Sequence, residues 1–147
     1  MSPDFDIASH LQATPGIWRG VPGAEGSVLK KLSASAPIPL PSEYLELLAA
    51  SNGGEGDLAI EPGWFCPWPA EEVLEQNEGY EIATYAPDLF GIGSNGGGEL
   101  IAIDHSTASP FAVVMVPFIP LDRSELQMIA QSMSEFVQLI GVEIPEA

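Results

Sequence analysis

Phe90-Gly-Ile-Gly-Ser-Asn-Gly-Gly-Gly-Glu-Leu-Ile-Ala-Ile-Asp104 is the stretch on which the fold turns. Asn95-Gly96-Gly97-Gly98 separates two runs, Phe90 to Ser94 and Glu99 to Asp104. Only Gly and Asn take positive φ cheaply, so the two runs read as strands of a β-hairpin. The same residues also spell G-x-G-x-x-G from Gly91 to Gly96. A dinucleotide site needs a helix N-terminus directly after the glycines and an acid about 20 residues further on. Here a second strand follows, and Glu99 and Asp104 come far too early. The tight-turn reading therefore stands.

Working outward, Phe111 to Ile119 is a β-branched and aromatic run, which predicts a largely buried strand. Gly56 to Glu61 alternates, with Leu58 and Ile60 on one face, and predicts another. Helices are expected over Gly26 to Ser35, over Ser42 to Ser51, and from Pro69 to about Asn77 with Val73 and Leu74 inward. Asp122-Arg-Ser-Glu125 resembles a capping box. Behind it Leu126, Ile129, Ala130, Met133, Phe136, Val137 and Ile140 recur at helical spacing, which predicts one long final helix ended by Gly141. The first 20 residues have weak periodicity, with Ile17 and Trp18 as their anchor onto the body. Helices that bracket consecutive strands, rather than alternating with each one, indicate an α+β domain on an antiparallel sheet.

The 147 residues suit one domain, and 46% hydrophobic content is enough for a core. Four Lys or Arg face 21 Asp or Glu, for a net charge of −17. Such a chain repels polyanions, so nucleic acid and anionic membrane surfaces are excluded as partners. A basic protein, a small neutral or cationic ligand or a metal cation remains. The single cysteine, Cys66, allows no internal disulfide and no multi-cysteine zinc site. Met1 to His10 lacks the pattern of a signal peptide, and no apolar run reaches membrane-span length, so the expectation is a cytoplasmic protein.

Catalytic patterns are weak. Asp104, His105 and Ser106 are adjacent, and neighbouring strand residues point to opposite faces, so they cannot form a relay. Cys66 sits in Trp64-Phe-Cys-Pro-Trp68 with no nearby cation to lower its pKa, which suits packing better than nucleophilic attack. The acids do not follow the calcium-loop pattern. No catalytic residue, cofactor or metal site is expected. A pocket near His105, used by a small-molecule binder or an enzyme, is the weakest of the three functional readings.

The charge distribution is more informative than its total. Arg19, Lys30, Lys31 and Arg123 are all the cations, so Leu32 to Asp122 holds none. Within that span Glu71, Glu75 and Glu78 follow one another at i, i+4, i+7, and Glu72 with Glu75 adds an i, i+3 pair. Each like-charged neighbour costs about 0.2 to 0.5 kcal/mol on an isolated helix. A solvated face explains one such helix. One-sided charge across the whole span points equally to a basic protein partner, which such a field would steer. The candidate contact residues are Glu55, Asp57, Glu61, Trp64, Trp68, Glu71, Glu72, Glu75 and Glu78.

Taken in order, four motifs resemble the SUKH superfamily, the Smi/Knr-type domain named for fungal cell-wall-assembly regulators. They are Leu40-Pro41-Ser-Glu-Tyr44-Leu-Glu-Leu-Leu48 running into Ser51-Asn-Gly-Gly-Glu-Gly56, the Trp64 to Glu72 segment, the Gly91 to Asp104 hairpin, and a closing helix with Phe136. The resemblance divides the chain into an N-terminal extension (1–25), the domain (26–141) and a C-terminal tail (142–147). It implies an α+β fold with a sheet of about six strands and helices around it, and no catalytic residues. It also implies that Asn52-Gly53 and Ile92 to Gly96 are mainly structural. Most bacterial members look like immunity proteins that bind and neutralise a cognate toxin, often a nuclease, while fungal members are regulatory adaptors. The leading expectation is therefore a non-enzymatic immunity protein for a basic toxin. A Smi/Knr-type adaptor that recognises a host protein through Trp64 and Trp68 comes second. The sequence leaves the oligomeric state open and slightly favours a monomer.

Overall fold

The computed structural model describes residues 5–145. In chain order the elements are helix α1 (Ile7–Gln12), strand β1 (Trp18–Arg19), α2 (Gly26–Ser35), α3 (Ser42–Ala50), β2 (Glu55–Asp57), β3 (Trp64–Pro67), α4 (Val73–Gly79) and α5 (Ile82–Tyr85). The hairpin β4 (Leu89–Ser94) and β5 (Glu99–Asp104) follows, then β6 (Ala112–Pro117), a 3₁₀ turn (Arg123–Glu125), β7 (Gln127–Ala130) and α6 (Met133–Val137). The seven strands form one sheet in sequential order, each antiparallel to the next. This is the expected α+β architecture, with seven strands in place of about six.

Strand alternation sorts the core onto two faces. On β5, Ile101 and Ile103 join the larger cluster, while Leu100 and Ala102 join a smaller one on the opposite face. The larger face packs Tyr44, Leu47 and Leu48 of α3, Val73 of α4 and Phe136 and Val137 of α6 against Phe65, Phe90 and Ile92. Phe65 and Phe136 meet edge to face, with ring centroids 5.0 Å apart. The smaller face is covered by Ile82 of α5 with Ala86 just beyond it, and by Phe118, Leu121 and Leu126. Burial on both sides is why β4 to β6 read as nearly continuous apolar runs.

The N-terminal residues are tied to the body at several points. Trp18 pairs with Gly56, and a Cβ at Gly56 would collide with Trp18. Asp57 accepts the Ile17 N–H at its carboxylate (2.7 Å), and its own carbonyl accepts the Gly141 N–H (2.7 Å). His10 Nε2 lies 2.8 Å from the Ile140 carbonyl oxygen. Asp57 of β2 thus joins Ile17 to Gly141.

The long final helix expected from Asp122 to Ile140 does not form. Gln127–Ala130 is instead strand β7, paired with β6, and Ser132 starts a separate helix by accepting the Glu135 N–H at its side chain (3.1 Å). Local periodicity identified the buried residues, since Ile129, Ala130, Met133, Phe136, Val137 and Ile140 all reach the larger core cluster. The backbone is decided by β6: Val113–Val116 are buried, and without β7 the outward edge of that strand would lack a ladder partner. Elsewhere α4 begins at Val73 rather than Pro69, after a turn in which the Glu72 N–H bonds the Pro69 carbonyl (2.8 Å). The strand expected over Gly56 to Glu61 stops at Asp57, and the chain turns so that Leu58 is buried and Ile60 exposed. Trp64–Pro67, whose sequence shows no alternation of polar and apolar residues, is a central strand.

Candidate protein-interaction surface

The nine candidate contact residues fall into two groups. Glu55, Asp57, Glu61 and Trp64 lie at the β1–β2–β3 end of the sheet, and Trp68, Glu71, Glu72, Glu75 and Glu78 lie on and before α4. In the first group the Trp64 indole N–H donates to Glu55 Oε1 (3.0 Å), and the Arg19 guanidinium stands 5.7 Å from the centre of the Trp64 ring. Ring, carboxylate and cation therefore serve one another. Asp57 is occupied as described above. Glu61 borders a shallow cleft with Glu99, Glu125, Asn95 and Gln127, residues far from it in sequence.

In the second group Glu71 is held apart from its neighbours. Asn52 accepts the Ala70 N–H at Oδ1 (2.7 Å) and donates from Nδ2 to Glu71 Oε1 (2.8 Å), so it links the end of α3 to the approach to α4. That hydrogen bond from Asn52 holds the Glu71 carboxyl below its usual range. Glu72, Glu75 and Glu78 are exposed. The cation-free span contains the whole of α4; Lys31, just before that span, lines a cleft with Glu71 and Leu74, and Arg123, just after it, is committed elsewhere. Arg123 grips both Asp104 oxygens (3.1 and 3.3 Å) and the Pro87 carbonyl (3.1 Å). This is the one ion pair among the described residues. Partial burial opposes ionisation of Asp104, but hydrogen bonds from Arg123 and Ser106 and the charge of Arg123 outweigh it and hold the carboxyl below its usual range.

Trp68 belongs to an arrangement that sequence reasoning missed. Its ring is stacked nearly parallel to Tyr80 (12°, 6.2 Å), and Tyr80 leans on Phe118 (4.7 Å). Gly91 makes room for it: a Cβ there would stand 2.9 Å from Trp68 Cζ3 and 2.8 Å from Ile82 Cδ1. The three rings come from the β3–α4 turn, the α4–α5 junction and the end of β6, so no sequence window contains them.

His105 follows β5 in the turn toward β6, its ring edge-on to Phe111 (6.3 Å). Partial burial and the Glu55 carboxylate push the Cys66 thiol up, against a hydrogen bond from Trp64. Among the described residues there is no cluster of three or more metal-ligating side chains, and no helix is long and apolar enough to cross a membrane.

A seven-stranded antiparallel meander with helices on both faces defines an α+β domain. Within that class, residues 23–139 match the SMI1/KNR4 family (SUKH-1), and the chain belongs to this family. No curated protein matches it significantly.

Proposed function

We propose that this SMI1/KNR4-family chain is a cytoplasmic, non-enzymatic protein-binding module, an immunity protein that neutralises a basic, nuclease-type toxin. The observation that carries this reading is the exposed acidity of α4, none of whose carboxylates is in an ion pair among the described residues. Glu72, Glu75 and Glu78 are exposed, Leu32 to Asp122 contains no cation, Arg19 and Arg123 are engaged by Trp64 and Asp104, and Lys31 lines a cleft with Glu71 and Leu74, leaving the acids further along α4 in excess. A field of one sign accelerates encounter with a cationic protein and rejects polyanions. The test is co-expression with the toxin candidate encoded beside the gene. Rescue of growth and a stable complex are expected; neither appearing would sink the proposal.

A Smi/Knr-type adaptor that recognises a host protein is the second reading, and the exposed aromatic surface around Trp68 favours it. Apolar contacts resist salt, so complex formation unaffected by ionic strength and abolished by Trp68→Ala would select the adaptor over the immunity protein.

A further inference from the structure

Tyr80 is 45% exposed although its ring neighbours both Trp68 and Phe118, and Ile119, next to Phe118 in the chain, is 92% exposed. The stack is already ordered. Trp68 is seated against Gly91, Tyr80 lies nearly parallel to it, and Phe118 is tilted against Tyr80 at 4.7 Å. Glu81, which follows Tyr80, has φ +53, a left-handed conformation that non-glycine residues rarely adopt. The α4–α5 junction thus holds Tyr80 at the surface at some conformational cost. Rigid aromatic rings with few torsions to freeze lose little entropy when a partner settles on them.

The two aromatic sites of this protein differ in one respect that identifies the occupant. The ring of Trp64 is already covered by Arg19, the one cation stacked on an aromatic ring among the described residues. The Trp68–Tyr80–Phe118 stack has no such cation, yet exposed Glu78 and Glu81 flank Tyr80 in the chain. A π face beside carboxylates attracts a guanidinium both through the ring quadrupole and through charge.

We infer that the Trp68–Tyr80–Phe118 cluster, with Ile119 and the carboxylates Glu78 and Glu81, is a docking surface for a basic protein that lays an arginine on the exposed part of the Tyr80 ring and an apolar side chain against Ile119. This inference rests on the proposed protein-binding role and names its contact surface. Trp64 is then a structural group, since its ring is filled from within.

The test is titration of the ¹⁵N-labelled full chain with an acetylated, amidated octapeptide of alternating arginine and leucine. Shifts should concentrate at the Trp68 indole N–H and at the backbone amides of Glu78, Tyr80, Glu81, Phe118 and Ile119. Tyr80→Ala should weaken binding roughly tenfold, the scale of an interface anchor, and citrulline in place of arginine should do the same. Tyr80→Phe keeps the ring and should bind as the parent does. If Tyr80→Ala disturbs the fold, the surface pair Glu78→Lys and Glu81→Lys takes its place. Shifts centred on Trp64, shifts spread evenly over the carboxylates, absence of binding, or indifference to citrulline and to the alanine or lysine variants would overturn the inference. Its failure is separable from that of the immunity role: toxin rescue unchanged by Tyr80→Ala overturns this surface alone, whereas peptide shifts on the stack without toxin rescue overturn the immunity role alone.

Discussion

The side chain of Asn77 and the peptide groups of Gly91 are joined by two reciprocal hydrogen bonds: the Gly91 N–H donates to Asn77 Oδ1 (2.7 Å), and Asn77 Nδ2 donates to the Gly91 carbonyl (2.9 Å). Nδ2 also donates to the Val73 carbonyl within α4 (2.8 Å). The β4–β5 register slips between Gly91 and Gly93, and a bulge leaves backbone groups without ladder partners. Asn77 supplies those partners and fastens α4, with its acidic face, to the sheet.

Asn77→Ala should therefore destabilise the fold by about 1 to 3 kcal/mol, the usual penalty for leaving a buried donor or acceptor unpaired. Urea denaturation measures it. A change within experimental error would show that water replaces the amide.

Gly91→Ala should cost about 1 to 3 kcal/mol, since the new methyl would press on Trp68, Ile82 and Leu100 in a packed face. The emission maximum of Trp68, read in a variant with Trp18 and Trp64 replaced by Phe, should move to the red as the ring is pushed out. An unshifted spectrum with full stability would mean that the ring has other room.

Asp104 makes stability depend on pH. Its folded carboxyl titrates below the ordinary value of about 3.8 because Arg123 and Ser106 favour the ionised form. The folded state therefore holds its proton less tightly than the unfolded chain. The contribution is complete above that ordinary value and is lost as pH falls through the folded pKa. Arg123→Met should cost about 0.2 to 1 kcal/mol near neutrality, since the pair is partly exposed, and should flatten the acid limb of a Tm-against-pH curve. A parallel limb in the variant would place the titration elsewhere.

Asn52→Ala should raise the Glu71 carboxyl back toward the ordinary range, because the hydrogen bond that lowers it comes from Asn52. A ¹³C-detected carboxyl titration reads this directly. Persistence of the low value in Asn52→Ala would assign the effect to the backbone.

Glu72→Lys, Glu75→Lys and Glu78→Lys together should slow association with a basic partner and reduce its dependence on salt, with little change in stability since all three are exposed. Stopped-flow association at several ionic strengths is the measurement. Unchanged rates would move the interface away from α4.

Local chemistry made a large part of this fold legible. Asn95 to Gly98 permits one tight connection, so the β4–β5 hairpin follows from residues in contact along the chain. Helices α2 and α3 were readable for the same reason, with Pro37 after α2 and with Pro41 before and Asn52-Gly53 after α3. Gln127 to Ala130 was not readable. Its apolar spacing fits a helix, and only the edge of β6, more than ten residues upstream, turns it into a strand. The acidic run of α4 was evident, but Asn52 and Asn77, which fix Glu71 and the helix itself, read only as a turn residue and as the end of the helix.

The sequence by itself determined the charge of the chain: its −17 total and the cation-free span. Charge is a sum over residues and needs no coordinates. Tertiary structure decided which groups remain available. It places Arg19 on Trp64 and Arg123 on Asp104, and it brings Trp68, Tyr80 and Phe118 from three separate segments into one stack. Pairing and stacking act over a few ångströms, and only the packing of α4, α5 and β6 against one another brings those atoms that close.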